Sequence, residues 1–279
     1  MKGKLYIVST PIGNLEDITI RAINILKEVD IIACEDTRTT RKLLNHYGIK
    51  NSLTSYHDRN EILKSRQLLK KLKEGKKLAL VSDAGTPCIS DPGFRLIRLA
   101  VENDLDVIPI PGVSATIAAL TVSGLPTDSF LFVGFFPKVK KRINELLIEI
   151  KNYPHTLIFY ESPKRVVKTL NLIQEVFGNR NISVSREITK MFEETIRGKI
   201  DEVINVLNSH ESLRGEITVV VEGNINSLDI NEELNQLKKK MIEFHKEGLT
   251  LKDTVSFLSK DSKISKNILY SSALEIWGN

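Results

Sequence analysis

Two adjacent carboxylates and an arginine follow a short apolar segment near the N-terminus. The segment, residues 30–34, is predicted as a strand, and Glu35-Asp-Thr-Arg38 comes directly after it. Acidic and basic side chains at the carboxyl end of a strand lie where active-site groups occur in α/β proteins. The same residues could instead begin a helix, with Asp36 or Thr37 as its N-cap. The sequence supports both interpretations equally.

A loop of small and turn-forming residues follows another predicted buried strand, residues 78–82. It reads Ser82-Asp-Ala-Gly-Thr-Pro-Cys-Ile-Ser-Asp-Pro-Gly93. Ordering such a loop is costly unless a ligand uses it. Asp83 can accept a hydrogen bond from a hydroxyl or ammonium group, and Ala84 and Gly85 leave room for a flat ligand. The alternative is a turn that only reverses the chain; we favour the ligand interpretation.

Three further segments place flexible or charged residues after predicted strands. Ser9-Thr-Pro-Ile-Gly-Asn14 allows a sharp turn close to a ligand. It is neither a GxGxxG nor a Walker sequence, so it does not predict phosphate binding, and a structural turn is its default interpretation. Pro111-Gly-Val-Ser-Ala-Thr116 begins a helix whose free N–H groups could face a ligand. Tyr160-Glu-Ser-Pro-Lys-Arg165 again places charged groups after a strand.

Apolar runs that are typical of strands alternate with stretches of helical periodicity. In the first hundred or so residues the runs lie at 5–9, 30–34, 78–82 and 106–110. This pattern predicts a mainly parallel sheet covered by helices, with the ligand at the carboxyl ends of the strands. Pro109-Ile-Pro-Gly112 is a rigid turn and a predicted boundary. We therefore predict an α/β protein with domains at residues 1–112 and 113–223.

The remaining residues, 224–279, contain no strand pattern and no proline. Thr250-Leu-Lys-Asp253 resembles a capping box, and Ser265 can cap a further helix. Three short helices predict a tail that resembles a helix-turn-helix module. Its eight lysines are balanced by three Asp and five Glu. Packing or dimerisation is therefore at least as well supported as nucleic-acid binding.

Composition excludes several classes of protein. The 279 residues are 41 % hydrophobic and 27 % charged, which is typical of a globular chain and not of a disordered one. No apolar run approaches the roughly 18 residues of a membrane helix, and the N-terminus does not resemble a signal peptide. The two cysteines and five histidines lack the spacing of a disulfide framework or a metal site. This cysteine usage favours the reducing cytosol.

Positive charge is concentrated in two segments. Residues 38–77 contain twelve Lys or Arg against three Asp or Glu, and residues 133–170 contain eight against three. Such an excess suits an anionic partner such as a nucleic acid. The alternative for any single lysine is a solvated helix face.

Seven motifs taken together resemble one branch of a known superfamily. They are Leu5-Tyr-Ile-Val-Ser-Thr-Pro-Ile-Gly-Asn14, Ala33-Cys-Glu-Asp-Thr-Arg38, Ser55-Tyr-His-Asp-Arg-Asn-Glu61, Val81-Ser-Asp-Ala-Gly-Thr-Pro87, Pro111-Gly-Val-Ser-Ala115, Phe159-Tyr-Glu-Ser-Pro163 and Glu187-Ile-Thr-Lys190. In order and spacing they resemble the tetrapyrrole methylase superfamily and, within it, the ribosomal RNA small subunit methyltransferase I family. The resemblance covers essentially the whole chain, including the helical tail.

The resemblance implies two α/β domains with S-adenosylmethionine in the cleft between them, a small C-terminal helical module, and usually a homodimer. It implies methylation of the ribose 2′-hydroxyl of a cytidine in the decoding region of small-subunit rRNA, in the cytoplasm. The cofactor contacts that it implies are Pro11, Ser82, Asp83, Ala84, Gly85, Thr86, Ser114, Ala115, Tyr160, Glu161 and Val219. No metal is implied.

Two departures from the wider superfamily suit the rRNA branch. The first loop keeps only Pro11 and Gly13 of a glycine-rich segment, and Ser82-Asp83-Ala84 stands where Gly-Asp-Pro is usual. Both departures argue against a porphyrin-like substrate.

A ribose hydroxyl needs a base at neutral pH, and a positioned base typically contributes about 10²–10⁴-fold. The candidates are Glu35, Asp36, His57 and Lys190, with the acidic pair slightly preferred. The predicted RNA contacts are Lys138, Lys140, Lys141, Arg142, Lys164 and Arg165.

Other functions remain open on the sequence. The acceptor could be a tetrapyrrole carbon or a modified protein side chain, which predicts a deep apolar pocket. The chain could also be an RNA-binding assembly protein with an idle cofactor cleft. A nucleotide-binding α/β protein is a weaker alternative, because the glycine loop is absent.

Overall fold

The computed structural model describes residues 2–224, 227–260, 262 and 264–278. The chain divides into two compact units, residues 1–223 and residues 224–279. The first unit contains two sheets, and the second is helical. The α/β fold class is therefore confirmed, whereas a division of the first unit at residue 112 stays a prediction.

The first sheet is entirely parallel, as the alternating pattern predicts, and its strand order is β3-β2-β4-β1-β5. Its strands are β1 (Lys4–Val8), β2 (Ile31–Cys34), β3 (Leu53–Ser55), β4 (Lys77–Val81) and β5 (Asp106–Ile110). Four helices cover it, namely α1 (Ile20–Glu28), α2 (Thr37–His46), α3 (Glu61–Lys73) and α4 (Phe94–Glu102).

Successive residues of the central strands enter two different cores, because side chains of a strand alternate between its faces. Ala79 and Val81 pack with residues of α1 and α2, whereas Leu78 and Leu80 pack with residues of α3 and α4. Burial on both faces is the reason that β4 reads as an uninterrupted apolar run.

The second sheet is mixed, with the strand order β6-β7-β10-β8-β9. Only β6 and β7 pair in parallel, and the other neighbours are antiparallel. The strands are β6 (Phe130–Phe135), β7 (Thr156–Glu161), β8 (Asn181–Arg186), β9 (Glu194–Lys199) and β10 (Ile217–Val221). The helices α6 (Lys140–Ile150), α7 (Val166–Phe177) and α8 (Ile200–Ser209) share one core with it, and α5 (Ala115–Val122) packs in another.

The C-terminal unit contains α9 (Ser227–Lys246), α10 (Leu251–Leu258) and α11 (Lys266–Trp277). Both predicted caps are confirmed: Thr250 Oγ1 accepts the N–H of Asp253 at 3.2 Å, and Ser265 Oγ accepts that of Ile268 at 3.5 Å. Residues 225, 226, 261, 263 and 279 of the predicted tail lie outside the described residues. Among the helices described, none is long and apolar enough to cross a membrane.

Candidate functional site

A cavity of about 360 Å³ lies in the first unit and is lined from both sheets. We call it the central cavity. The loop after β4 contributes one wall through Asp83, Ala84, Gly85 and Thr86, and Ser114 and Ala115 at the start of α5 adjoin it. The second sheet contributes Phe135, Tyr160, Glu161, Ile217 and Thr218. The residues of the loop after β4, together with Ser114 and Ala115 after β5, follow strand ends of the first sheet, which is the position that the sequence predicts for a ligand.

Two backbone hydrogen bonds join the loops after β1 and β4. The N–H of Thr10 donates to the carbonyl of Gly85, and the N–H of Gly85 donates to the carbonyl of Thr10, both at 2.9 Å. Gly85 has a φ of +78°, which glycine adopts without strain. The bridge holds Gly85 against the wall of the central cavity.

Pro11 and Ser82 line a different cavity. It has a volume of about 310 Å³, also contains Thr39 and Lys42, and is called here the flanking cavity. Ser82 is buried, and its hydroxyl donates to the carbonyl of Ala84 at 3.1 Å. The hydroxyl of Ser82 therefore helps to shape the loop after β4.

Ser114 and Tyr160 both line the central cavity. Ser114 is the N-cap of α5, and its side chain makes no capping hydrogen bond within the described part of the chain. The hydroxyl groups of Tyr160 and Thr116 lie 2.8 Å apart, and burial raises the pKa of Tyr160. Tyr160 is therefore a neutral hydrogen-bonding group at physiological pH.

Glu161 lines the central cavity, but its carboxylate already has partners. One oxygen accepts from Arg165 at 2.9 Å and Thr169 at 2.6 Å, and the other accepts the N–H of Ser162 at 2.7 Å. Val219 differs from the other predicted cofactor contacts, because its side chain is fully buried in the hydrophobic core. The neighbouring Ile217 and Thr218 line the cavity instead.

We expect Glu161→Gln to lower the free energy of unfolding by about 1.5–3 kcal/mol, because the hydrogen bonds that it loses involve charged groups. Urea unfolding measures this loss. The matched control is Glu145→Gln, whose partner Lys141 lies 3.9 Å away on an exposed helix face; its effect should stay within about 0.5 kcal/mol. Equal effects of the two substitutions would contradict a structural role for Glu161.

Three of the four candidate bases lie together in a third cavity, which is open to solvent. Glu35, Asp36 and His57 line it with Asp83, and its volume is about 520 Å³. We call it the acidic cavity. Asp83 also lines the central and flanking cavities, so the three spaces meet at this residue.

Asp36 is a helix cap, as one of the two sequence interpretations predicts. Its Oδ1 accepts the N–H of Arg38 at 2.8 Å, and its carboxylate forms an ion pair with the Arg38 guanidinium. These hydrogen bonds lower the pKa of Asp36 to about 2. A carboxylate with so low a pKa is a weak base.

Glu35 has the opposite environment. Burial raises its pKa, and the negative charges of Asp83 and Asp91 act in the same direction. Near His57, Nδ2 of Asn60 lies 3.3 Å from Nε2 of the imidazole. If the amide donates there, it occupies the lone pair that a base would use. The structure therefore favours Glu35 within this cavity.

Lys190 lies outside the acidic cavity, on the loop between β8 and β9. Its Nζ contacts Glu187 at 2.9 Å and Glu216 at 3.2 Å. Burial acts to lower the pKa of Lys190, but these carboxylates outweigh it and the pKa is raised. An ammonium group held in this way cannot accept a proton at neutral pH. Its side chain packs on Gly13, at a position where a Cβ would collide with it.

Asp91 is a site residue that the sequence argument does not single out. It lines the central cavity at the far end of the loop after β4. Burial raises its pKa to about 6, and the negative charges of Asp83 and Asp58 act in the same direction.

The folded protein binds the proton of Asp91 more tightly than the unfolded chain does, because the pKa is about 6 in the folded state and 3.8 in the reference state. The contribution of Asp91 to the free energy of unfolding therefore falls as the pH rises between these two values. We expect Asp91→Asn to stabilise the ligand-free protein by up to about 3 kcal/mol at pH 7.5 and by almost nothing at pH 3.5. Urea unfolding at both pH values measures the difference. The exposed Asp128→Asn is the control, and a gain that does not change with pH would refute the assignment.

The predicted RNA contacts divide into two groups. Lys138, Lys140, Lys141, Arg142 and Lys164 are exposed. Arg165 instead donates to the carbonyls of Phe136 at 3.1 Å and Pro137 at 2.9 Å, as well as to Glu161. Its guanidinium holds the loop after β6, so we leave Arg165 out of the proposed RNA contacts.

Comparisons with known proteins agree with this arrangement. Residues 4–204 match the family model of Tetrapyrrole (Corrin/Porphyrin) Methylases. The ribosomal RNA small subunit methyltransferase I of Haemophilus influenzae is 44 % identical over 277 residues, which is 98 % of this chain and 97 % of the relative. That of Halalkalibacterium halodurans is 51 % identical over 80 % of this chain and 77 % of the relative.

Solved structures share the fold at low sequence identity. Uroporphyrin-III C-methyltransferase from Thermus thermophilus, complexed with S-adenosylhomocysteine, has a TM-score of 0.55 and 18 % identity. The match covers 81 % of this chain and all of that one. A diphthine synthase has a TM-score of 0.59 and 12 % identity, over 79 % of this chain and 90 % of that one. Taken with the sequence matches, these findings show that the chain belongs to the tetrapyrrole methylase family, in the branch of the ribosomal RNA small subunit methyltransferases I.

Proposed function

We propose that this protein is an S-adenosylmethionine-dependent methyltransferase. Its substrate in this proposal is small-subunit rRNA, and it methylates the ribose 2′-hydroxyl of a cytidine in the decoding region. The observation that carries the proposal is the meeting of the central and acidic cavities at Asp83. A methyl donor and a ribose can thereby approach each other from two separate spaces.

The residues of the central cavity fit the cofactor. The volume of about 360 Å³ lies within the range of roughly 300–1,000 Å³ for small-molecule sites. A Cβ placed on Gly85 would have only Ile12 Cγ2 at 3.5 Å and Val113 O at 3.9 Å near it, so a ligand has room there. The carboxyl groups of Asp83 and Asp91 suit a ligand with positive charge. When bound, the cofactor supplies a methyl group that is already activated on a sulfonium.

The chain itself must position the ribose and remove its proton. We place the ribose in the acidic cavity, where a carboxylate oxygen of Glu35 accepts the proton of the 2′-hydroxyl. The pKa of Glu35 is raised and therefore lies closer to neutral pH than that of Asp36, which is lowered. Glu35 is for this reason the stronger base of the two. The N–H of Asp36 donates to Asp83 Oδ1 at 3.0 Å and holds the two acidic loops together. Orientation of this kind is the main contribution that a protein makes to a displacement reaction.

The lining of the acidic cavity argues against a tetrapyrrole acceptor. Such a substrate predicts a deep apolar pocket, whereas this cavity is open and lined by charged and polar residues. The exposed lysines of the segment 138–164 support an RNA partner, because they follow β6, whose end at Phe135 lines the central cavity. We further propose that the protein is cytoplasmic and forms a homodimer. Light scattering of the purified protein tests the dimer.

The function is tested by mapping ribose methylation in small-subunit rRNA by mass spectrometry. Cells with and without the gene are compared, and a variant that lacks the base serves as a further control. We expect one cytidine of the decoding region to lose its methyl group without the gene. An unchanged methylation map would refute the proposed substrate. Calorimetry with S-adenosylmethionine separately tests the cofactor, and an absence of binding would favour an assembly protein with an idle cleft.

A further inference from the structure

The mouths of the acidic and flanking cavities carry basic side chains that the proposed function does not yet use. Arg38 and Arg59 line the acidic cavity, and Lys42 lines the flanking cavity. All three belong to the segment with the larger excess of positive charge. We call them the cationic rim.

Arg59 projects from a loop that is fixed on both sides. The ring of Tyr56 is buried in the core of the first sheet, its hydroxyl lies 3.0 Å from Ser65 Oγ, and its N–H donates to the carbonyl of Cys34 at 2.7 Å. On the other side, Asn60 Oδ1 accepts the N–H of His57 at 3.0 Å. Arg59 itself is exposed. Less entropy is therefore lost at this backbone when the guanidinium binds a ligand than in a mobile loop.

Arg38 and Lys42 lie one helical turn apart on α2, so their side chains are neighbours on its surface. The Arg38 side chain is 87 % exposed. Asp36 accepts hydrogen bonds from its Nε at 3.1 Å and from one of its terminal nitrogens at 2.7 Å, which fixes the orientation of the guanidinium. Among the described residues no hydrogen-bond partner is recorded for the other terminal nitrogen, which can donate to a ligand.

The acidic cavity is lined by both negatively and positively charged side chains. Glu35 and Asp83 are carboxyl groups that repel an anion and accept hydrogen bonds from a hydroxyl. Arg38 and Arg59 attract a phosphate. A ribonucleotide within an RNA strand carries both kinds of group, an anionic phosphate and a neutral sugar hydroxyl. This pattern of charge favours one orientation, with the sugar on the carboxyl groups and the phosphates on the rim.

We propose that Arg38, Lys42 and Arg59 bind the RNA phosphates that flank the target nucleotide and orient its ribose toward Glu35. The proposal rests on the proposed function and adds a contact surface on the first sheet to the lysines of the second. Phosphate contacts give affinity and register and carry little sequence information.

The test measures how the affinity for RNA depends on salt. Full-length protein without cofactor is titrated with a synthetic RNA of the decoding region and with 30S subunits, each at several KCl concentrations. Each phosphate contact contributes about 0.7–0.9 to the slope of log K against log salt. We expect Arg59→Ala and Lys42→Ala each to reduce the magnitude of the slope by about that amount, and the double variant by about twice as much.

Two controls separate a phosphate contact from a general loss of charge. Arg66→Ala removes an exposed arginine of the same basic segment that lines none of the three cavities, and it should leave the slope unchanged. Arg59→Lys keeps the charge and should keep the slope. Equal effects of Arg59→Ala and Arg66→Ala would overturn the cationic rim alone. Failure of the unaltered protein to bind either RNA would overturn the rim and the proposed substrate together, and cofactor calorimetry would still report on the central cavity.

Discussion

Replacing Ala115 with phenylalanine is expected to weaken the binding of S-adenosylmethionine by about 100-fold or more, which corresponds to roughly 2.7 kcal/mol. Ala115 is the first residue of α5 and lines the central cavity. A phenyl ring at this position would fill space that the cofactor needs. Isothermal titration calorimetry of the purified protein measures the change.

The same helix provides the control for this substitution. Ile117 lies two residues further along α5, is 47 % exposed and does not line the central cavity. Ile117→Phe should therefore leave the cofactor affinity within about twofold, equivalent to about 0.4 kcal/mol. If Ala115→Phe binds the cofactor as tightly as the unaltered protein, the central cavity is not the cofactor site.

Replacing Glu35 with glutamine is expected to lower the rate of methyl transfer in a single turnover by about 10²–10⁴-fold, because the substitution removes the proposed base. The affinity for S-adenosylmethionine should not change, since Glu35 lines the acidic cavity and not the central one. In the unaltered enzyme the rate should rise with pH through the raised pKa of Glu35. In the variant this rise should be absent.

Asp128→Asn is the control, because Asp128 is an exposed carboxylate that lines none of the three cavities. It should retain the rate and its pH dependence. A loss of less than tenfold in Glu35→Gln would exclude Glu35 as the base and direct attention to Asp91 and His57. The single-turnover design is needed because a slow product release would hide a slower chemical step.

The parallel sheet could be predicted because its strands are buried on both faces. Residues 78–81 form a continuous apolar run, and such a run is visible in a sequence. The strand β9 gives no such signal, because Glu194-Thr-Ile-Arg-Gly-Lys199 is a half-polar strand at the sheet edge. The sequence argument therefore misses β9 and the helix α8 that follows it, and it does not indicate that most neighbours in the second sheet are antiparallel.

The candidate site was predictable in its loops and less so in its individual residues. Loops that follow parallel strands meet at one edge, so Asp83 and Glu35 could be expected there. The position of Asp91 depends on how its loop folds back, with Cys88 and Ser90 at φ values of 72° and 68°. Residue types do not reveal such conformations, because neither side chain favours positive φ.

The ion pair between Glu161 and Arg165 illustrates a second limit. The two residues are four apart, a spacing that on a helix would suggest contact. Glu161 is the last residue of β7, however, and Arg165 is the N-cap of α7. A rule for helix surfaces does not apply across a strand end, so the internal role of Arg165 became visible only in three dimensions.

The shared position of Asp83 has a consequence for how variants of this enzyme are interpreted. Its side chain lines both the central cavity, where we place the methyl donor, and the acidic cavity, where we place the ribose. A substitution of Asp83 would change the affinity for the donor, the affinity for the acceptor and the turnover rate together. A comparison of kcat with KM could not separate these three effects. Mutagenesis that aims to separate the two binding sites should therefore use residues that line only one of the two cavities, such as Ala115 in the central cavity and Glu35 in the acidic cavity.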